Sequence, residues 1–145
     1  MTILDKCTLL NRNGDPVETS VLDKPERVAL FFSANFCKPC HEFLPLLKDF
    51  YEEVNEDGTK KVEVVFVSLD KSQAEQETYH KAHGDWPRIS FLNEAERLEL
   101  KNHLGVEKIP ALVILDETKE NAKFKDGVND VRNMGPMAFE MKWGN

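Results

Sequence analysis

The stretch VALFFSANFCKPCHEFLPLLKDFY, residues 28–51, decides the fold. It opens with Val28 to Ser33, an apolar run rich in Val and Phe, the pattern of a strand buried on both faces. The period then changes. Phe43, Leu46, Leu47, Phe50 and Val54 fall at i, i+3, i+4, i+7 and i+11, which is one face of a helix. Between the strand and the helix stand Cys37, Lys38, Pro39 and Cys40. A strand that runs directly into a helix places Cys37 at or near the helix N-terminus. Unpaired N–H groups and the helix dipole there favour a thiolate over a thiol. The thiolate is the species that attacks a disulfide, so Cys37 is the candidate nucleophile. Cys40, one turn further on, is expected to be more buried and to resolve the mixed disulfide. Pro39 is tolerated because first-turn N–H groups lack helix partners anyway. Lys38 and His41 add positive or polarisable character, and each either supports the thiolate or points to water.

Working outward, Val62 to Leu69 (VEVVFVSL, with Glu63 the exception) and Ala111 to Leu115 (ALVIL) read as two more buried strands. Ser72 with Glu75 forms a capping box for a helix through about His83. Asn93 with Glu96 repeats that signal before Leu98, Leu100 and Leu104, and Gly105 sits where a helix C-terminal glycine belongs. Gly135 and Pro136 start a last helix carrying Phe139 and Trp143. Upstream, Ile3, Leu9 and Leu10 precede the turn signal Asn11–Asp15, and Val17 to Leu22 pairs back as an N-terminal β-hairpin. Lys24, Pro25 and Glu26 then break the chain. Pro45 lies inside the first helix and kinks it. The order strand, helix, strand, helix, helix, strand is that of an α/β domain, its first two core strands parallel. The expectation is a five-stranded central mixed β-sheet flanked by helices on both faces and preceded by the hairpin.

The totals set bounds. A chain of 145 residues suits one domain, 1–145, and 41% hydrophobic residues suffice for one core. A net charge of -7 argues against nucleic acid as a partner. Three cysteines make a poor secreted disulfide scaffold. Asp5 and Lys6 interrupt the N-terminal apolar residues, so no secretory leader is expected. No stretch approaches the roughly 18 apolar residues of a membrane span. The expected address is the cytoplasm, with nuclear residence open. A CxxC pair there is catalytic or metal-binding rather than structural. Other uses of the same residues are covalent haem attachment with His41 as axial ligand, zinc binding with Cys7, His80, His83 and His103 converging, and simple packing. Cys7 itself reads as an ordinary half-buried thiol.

FFSANFCKPCHEFLPLLKDFY, followed by VEVVFVSLD and KIPALVILD, resembles the tryparedoxin and nucleoredoxin-like branch of the thioredoxin superfamily. The resemblance runs from about Val28 to Trp143 and includes HGDW (His83–Trp86) and the late apolar residues Phe139 and Trp143. It implies a thioredoxin-like fold. It also implies that Pro110 is a cis-proline facing the CxxC and that the Ile109 backbone pairs with an incoming substrate strand. A trans proline at a strand start is the other reading. Trp86 and Pro87 either line the rim of the site or fill the core. The chain departs from the family at Phe36, where Trp is usual, and at Lys38 and His41. Phe36 still provides an apolar rim for docking. Phe31 stands where a thioredoxin has its buried Asp, so the proton acceptor for Cys40 lies elsewhere. Asp70, at the end of the second core strand, is a candidate on the same sheet edge; a helix-capping Asp is the alternative.

The resulting expectation is a thiol–disulfide oxidoreductase, a monomer that reduces protein or small-molecule disulfides and serves cell redox homeostasis. Its redox group is the Cys37–Cys40 pair, with no separate cofactor and no metal. An upstream reductase or low-molecular-weight thiol restores it, at a potential between about -270 and -180 mV. The alternative is a redox-controlled protein-binding or signalling module with little turnover. Direct peroxide reduction has nothing beyond the CxxC in its favour.

Overall fold

A computed structural model describes residues 2–144. In chain order its elements are β1 (Leu9–Leu10), β2 (Pro16–Val17), β3 (Arg27–Ser33), α1 (Lys38–Val54), β4 (Val62–Ser68), α2 (Gln73–Lys81), β5 (Arg88–Ile89), α3 (Glu94–His103), β6 (Ala111–Leu115), β7 (Ala122–Phe124) and α4 (Gly127–Met134). Short 3₁₀ turns occupy Leu4–Lys6 and Thr19–Asp23, and Phe139–Trp143 form a π-helical turn. Among the described residues no helix is long and apolar enough to cross a membrane.

The period of two along the strands sorts the core into two layers. Ala29, Phe31, Val64, Phe66, Leu112 and Ile114 point to one face of the sheet. There they pack on Phe43, Leu47 and Phe50 of α1, Tyr79 of α2 and Val131 of α4. Leu30, Phe32, Val65, Val67, Val113 and Leu115 point to the other. They pack on Leu100 and Leu104 at the end of α3 and on Leu4 and Leu22 of the N-terminal segment. Each fully buried side chain of this size contributes about 1.5–3 kcal/mol relative to exposure, so both faces of β3 and β4 must be covered. That is why their sequences read as near-continuous apolar runs.

The sheet has seven strands in the order β2-β1-β5-β4-β3-β6-β7, not the five expected. β3, β4 and β5 are parallel neighbours, while the remaining pairings are antiparallel. The hairpin strands β1 and β2 make up the difference, and β5 and β7, which the sequence reading did not locate, have two and three residues, too few for a periodic signal. The N-terminal hairpin does not precede the sheet but forms its edge, because Leu9 pairs with Ile89 of β5. Its return strand is only Pro16–Val17; the residues after it turn into 3₁₀ helix and bury Leu22. Gly135 ends α4 at φ +55°, a conformation that suits glycine, and the last helical segment expected after Gly135 and Pro136 follows as the π-helical turn that carries Phe139 and Trp143. Gly127 opens α4 because any Cβ there would overlap the Leu112 carbonyl. The terminal turn is pinned where Trp143 donates Nε1–H to Asp130 at 3.0 Å.

Parallel pairing puts the C-terminal ends of β3, β4 and β5 on one sheet edge. The segments after them, beginning at Ala34, Leu69 and Ser90, therefore meet there. β6 runs antiparallel to β3 with Phe32 opposite Ala111, which brings Pro110 to the same edge.

Candidate active site

Cys37 is the N-cap of α1, in extended backbone conformation. Its sulfur accepts a hydrogen bond from the Cys40 backbone N–H at 3.3 Å. An N-cap side chain normally supplies an oxygen for this purpose; here sulfur occupies the place, so the acceptor is also the candidate nucleophile. The Cys37 backbone is held by its N–H to Ala34 at 3.1 Å and by the His41 N–H to its carbonyl at 3.2 Å. The Ile109–Pro110 bond is cis, and the Ile109 carbonyl lies 3.8 Å from Cys37 Sγ. The two cysteines are unbridged thiols, with Cys37 9% exposed and Cys40 fully buried.

Burial pushes the Cys40 thiol up to about 12, and a hydrogen bond with Cys37 adds to the rise. The Ser33 hydroxyl and the Ala34 backbone oppose this by hydrogen-bonding the sulfur in its charged form. Ser33 Oγ lies 2.6 Å from the Tyr79 hydroxyl, and both residues are buried. Tyr79 keeps its proton, held up by burial, and can donate to Ser33 while Ser33 donates to sulfur. Ser33 is therefore the hydroxyl beside Cys40, with Tyr79 behind it, and sequence reasoning named neither. A signal was present: Ser33 and Ser68 are the polar residues that close two apolar strands, and they are register partners.

Asp70 takes neither role expected of it. It is buried, Oδ1 accepts from the Asn35 N–H at 2.6 Å, and Oδ2 accepts from the Ser68 hydroxyl at 2.7 Å. No hydrogen bond joins it to Cys40, and Ser72 caps α2 in its place, accepting from the Glu75 N–H. Burial raises the Asp70 carboxyl, while the two donors act the other way. Asp70 thus holds the loop ahead of Cys37. Arg97 of α3 completes the support by donating to the Ser68 and Phe91 carbonyls, each at 2.7 Å.

Of the other sequence candidates, His41 folds back onto the site. Its Nε2–H donates to the Asn35 carbonyl at 2.6 Å and its ring lies 5.0 Å from that of Tyr79. Lys38 and Pro39 are exposed in the first turn of α1. Phe36 is 58% exposed beside Cys37, with Lys71 Nζ 5.6 Å above its ring.

Trp86 is core, not rim. It precedes β5 and so sits at the opposite sheet edge, edge-on to Tyr51, with Nε1–H donated to His83 Nδ1 at 3.1 Å. Pro87 and Trp86 line a cavity of about 310 Å³ there with Glu63 and Lys60. His80 and His83 are likewise buried in this aromatic layer, and burial depresses both. Among the described residues no group of three His, Cys, Asp or Glu side chains converges to hold a metal. Phe31, in the place of the thioredoxin Asp, packs against Phe43 and Phe66 at 6.0 and 6.4 Å. Cys7 is buried rather than half-buried, and burial pushes its thiol up to about 12.

Comparison with known proteins agrees with this geometry. Residues 25–121 match the family model described as Thioredoxin-like. The chain is 34% identical to nucleoredoxin from Bos taurus over 112 residues, 77% of this chain and 25% of that protein. It therefore spans about a quarter of the nucleoredoxin length. Against nucleoredoxin-like protein 1 from Xenopus laevis it is 33% identical over 150 residues, 94% of this chain and 68% of that protein. The structure of a tryparedoxin from Trypanosoma brucei superposes with a TM-score of 0.84 at 29% identity, covering 100% of both chains.

Proposed function

The chain belongs to the thioredoxin-like family, in its tryparedoxin and nucleoredoxin-like branch, and on that premise we propose that it reduces protein or small-molecule disulfides through Cys37 and Cys40. One observation carries the proposal. The sulfur of Cys37 caps α1 in place of an oxygen, next to the Ile109 carbonyl, with the second thiol buried one turn behind it. A thiol used only for packing would have no need of that position.

The Cys37 thiolate attacks one sulfur of a substrate disulfide, forming a mixed disulfide and releasing the first substrate thiolate. Cys40 then gives up its proton and attacks Cys37 Sγ, forming the Cys37–Cys40 disulfide and releasing the second thiolate. The substrate has gained two electrons and, once protonated, two protons. An upstream reductase or a low-molecular-weight dithiol returns both. Burial makes Cys40 reluctant to ionise, so the Ser33 hydroxyl and the Ala34 backbone serve the second step by stabilising the emerging thiolate. The Ile109–Pro110 loop offers backbone to an extended substrate. Such chemistry suits a reducing compartment, and the proposed location is the cytoplasm or nucleus.

The test is disulfide reduction of insulin with dithiothreitol, wild type beside Cys37→Ser and Cys40→Ser. Cys37→Ser is expected to abolish turnover, and Cys40→Ser to accumulate mixed disulfides. Full activity in Cys37→Ser would refute the mechanism. A wild type without turnover on insulin, but with an oxidation-dependent partner, would favour a redox-controlled binding module.

A further inference from the structure

Three lysines adjoin the residues around Cys37, on a chain whose net charge is -7. Lys38 follows it directly. Lys71 places Nζ 5.6 Å from the centre of the Phe36 ring. Lys108 precedes Ile109, whose carbonyl lies 3.8 Å from Cys37 Sγ. All three side chains are exposed, and among the described residues none forms an ion pair. Lys60, Lys61, Lys119, Lys123 and Lys142 are ion-paired, whereas Lys6, Lys24, Lys48, Lys81, Lys101 and Lys125 stand elsewhere without an ion pair among the described residues, so what sets Lys38, Lys71 and Lys108 apart is their position and not their lack of a partner. The carboxylates at this edge are placed differently. Asp70 is buried and engaged by Asn35 and Ser68. Glu75 and Glu94 lie in the first turns of α2 and α3, and Glu107 is exposed beside Lys108. Three exposed lysines thus neighbour the residues around the reacting sulfur against one exposed adjoining carboxylate, Glu107, and two large apolar side chains, Phe36 and Leu92, are exposed at the same edge.

Resting on the oxidoreductase reading above, we propose that this site selects disulfides in extended, acidic protein segments. Carboxylates flanking the substrate cystine meet Lys38, Lys71 and Lys108, while an apolar residue rests on Phe36. The overall acidity of the chain does not forbid this. At ordinary ionic strength the Debye length is about 8–10 Å, so charges beside the sulfur govern docking and distant ones are screened. The redox step is unchanged: the bound disulfide takes two electrons and two protons from the Cys37–Cys40 dithiol. Exposed ion pairs each change an equilibrium by a factor of about 1.5–5, so three together set a preference of about tenfold.

The test uses the reduced full chain and three cystine peptides identical except for Glu, Gln or Lys at the flanking positions. Each reduction rate is divided by that of dithiothreitol on the same peptide, which removes the peptide's intrinsic reactivity. At about 0.1 M salt the Glu peptide is expected to be reduced about tenfold faster than the Gln peptide, and the Lys peptide slower. At about 1 M salt the ratios should fall toward one. Combining Lys38→Glu, Lys71→Glu and Lys108→Glu should invert the order, whereas Lys6→Glu, Lys24→Glu and Lys101→Glu together should keep it. Equal normalised rates, or an order that survives the site triple, would overturn the inference and leave the oxidoreductase reading standing. No reduction of any peptide would overturn both.

Discussion

Replacing Ser33 with alanine removes one oxygen from between Cys40 and Tyr79, and its consequences separate cleanly. Ser33 is 0% and Tyr79 1% exposed, and a 2.6 Å hydrogen bond joins their hydroxyls. An orphaned buried hydroxyl costs about 1–3 kcal/mol, so Ser33→Ala should lower stability to unfolding by that amount. The kinetic effect is confined to one step. Ser33 favours the Cys40 thiolate, against burial that pushes the thiol up to about 12. A hydrogen bond to a charged group contributes about 1.5–3 kcal/mol. At about 1.4 kcal/mol per factor of ten, resolution of the mixed disulfide by Cys40 should slow by about 10- to 100-fold. The attack by Cys37 should keep its rate, because its sulfur is hydrogen-bonded to the Cys40 N–H and the Ile109 carbonyl, neither of which involves Ser33. Stopped-flow measurement of mixed-disulfide formation and decay, run as a pH series, separates the two steps. Decay in Ser33→Ala should need a higher pH to reach the wild-type rate. Tyr79→Phe should lie between the two, since it leaves the serine oxygen in place. If the Ser33→Ala decay profile superimposes on the wild type across pH, Ser33 has no part in ionising Cys40 and the argument fails.

Three further outcomes follow from the core and the opposite edge. Trp86→Ala should cost about 3–5 kcal/mol of stability. Trp86→Phe should leave disulfide reduction unchanged, because the indole packs on Tyr51 and His83 and not on the site; a fall in kcat/KM with folding intact would return Trp86 to the rim. Burial lowers His80 to about 4 in the folded chain, against 6.5 without it. The unfolded state therefore holds more protons between these values, and stability present above pH 6.5 is lost as pH falls toward 4. Each such group contributes a slope of about 1.4 kcal/mol per pH unit in that window. Urea unfolding of His80→Gln should be less steep there, and an unchanged slope would refute the assignment. Gly127→Ala should destabilise the chain by about 1–3 kcal/mol, read by thermal unfolding, because the added methyl overlaps the Leu112 carbonyl. An unaltered Tm would mean that α4 shifts freely.

The parts of the fold that sequence reading recovered are those with a long, regular signal. β3, β4, β6 and α1 carry apolar runs or a helical stripe, of whose five positions on α1 four are buried and Leu46 is exposed, Leu44 being buried in addition. Cys37 and Cys40 were legible because their position depends only on the chain on either side of them. The elements missed lacked such a signal. β5 is Arg88–Ile89, a strand only because β4 and β1 lie on either side of it. The N-terminal hairpin appeared separate because nothing local to Leu9 reveals its pairing with Ile89 across the sheet edge. Gly135 was read only as the start of the last helical segment, although it also ends α4, because a glycine before a proline can stop one helix and precede another, and only its φ of +55° reveals the stop.

The amino-acid sequence by itself determined the strand–CxxC–helix junction, the two-sided burial of the central strands and the placement of a thiol at a helix N-terminus. All are local, set by the periods of strand and helix and by unpaired N–H groups in a first turn. Only the tertiary structure decided what stands around the buried thiol. Ser33 and Tyr79, separated by 46 residues, meet at Cys40. Asp70 reaches back across 35 residues to brace Asn35, and Ile109 comes within 3.8 Å of a sulfur 72 residues away. The physical reason is that a buried polar group must find a partner wherever the packed chain brings one. That choice depends on strand order and register, which spacing along the chain does not encode.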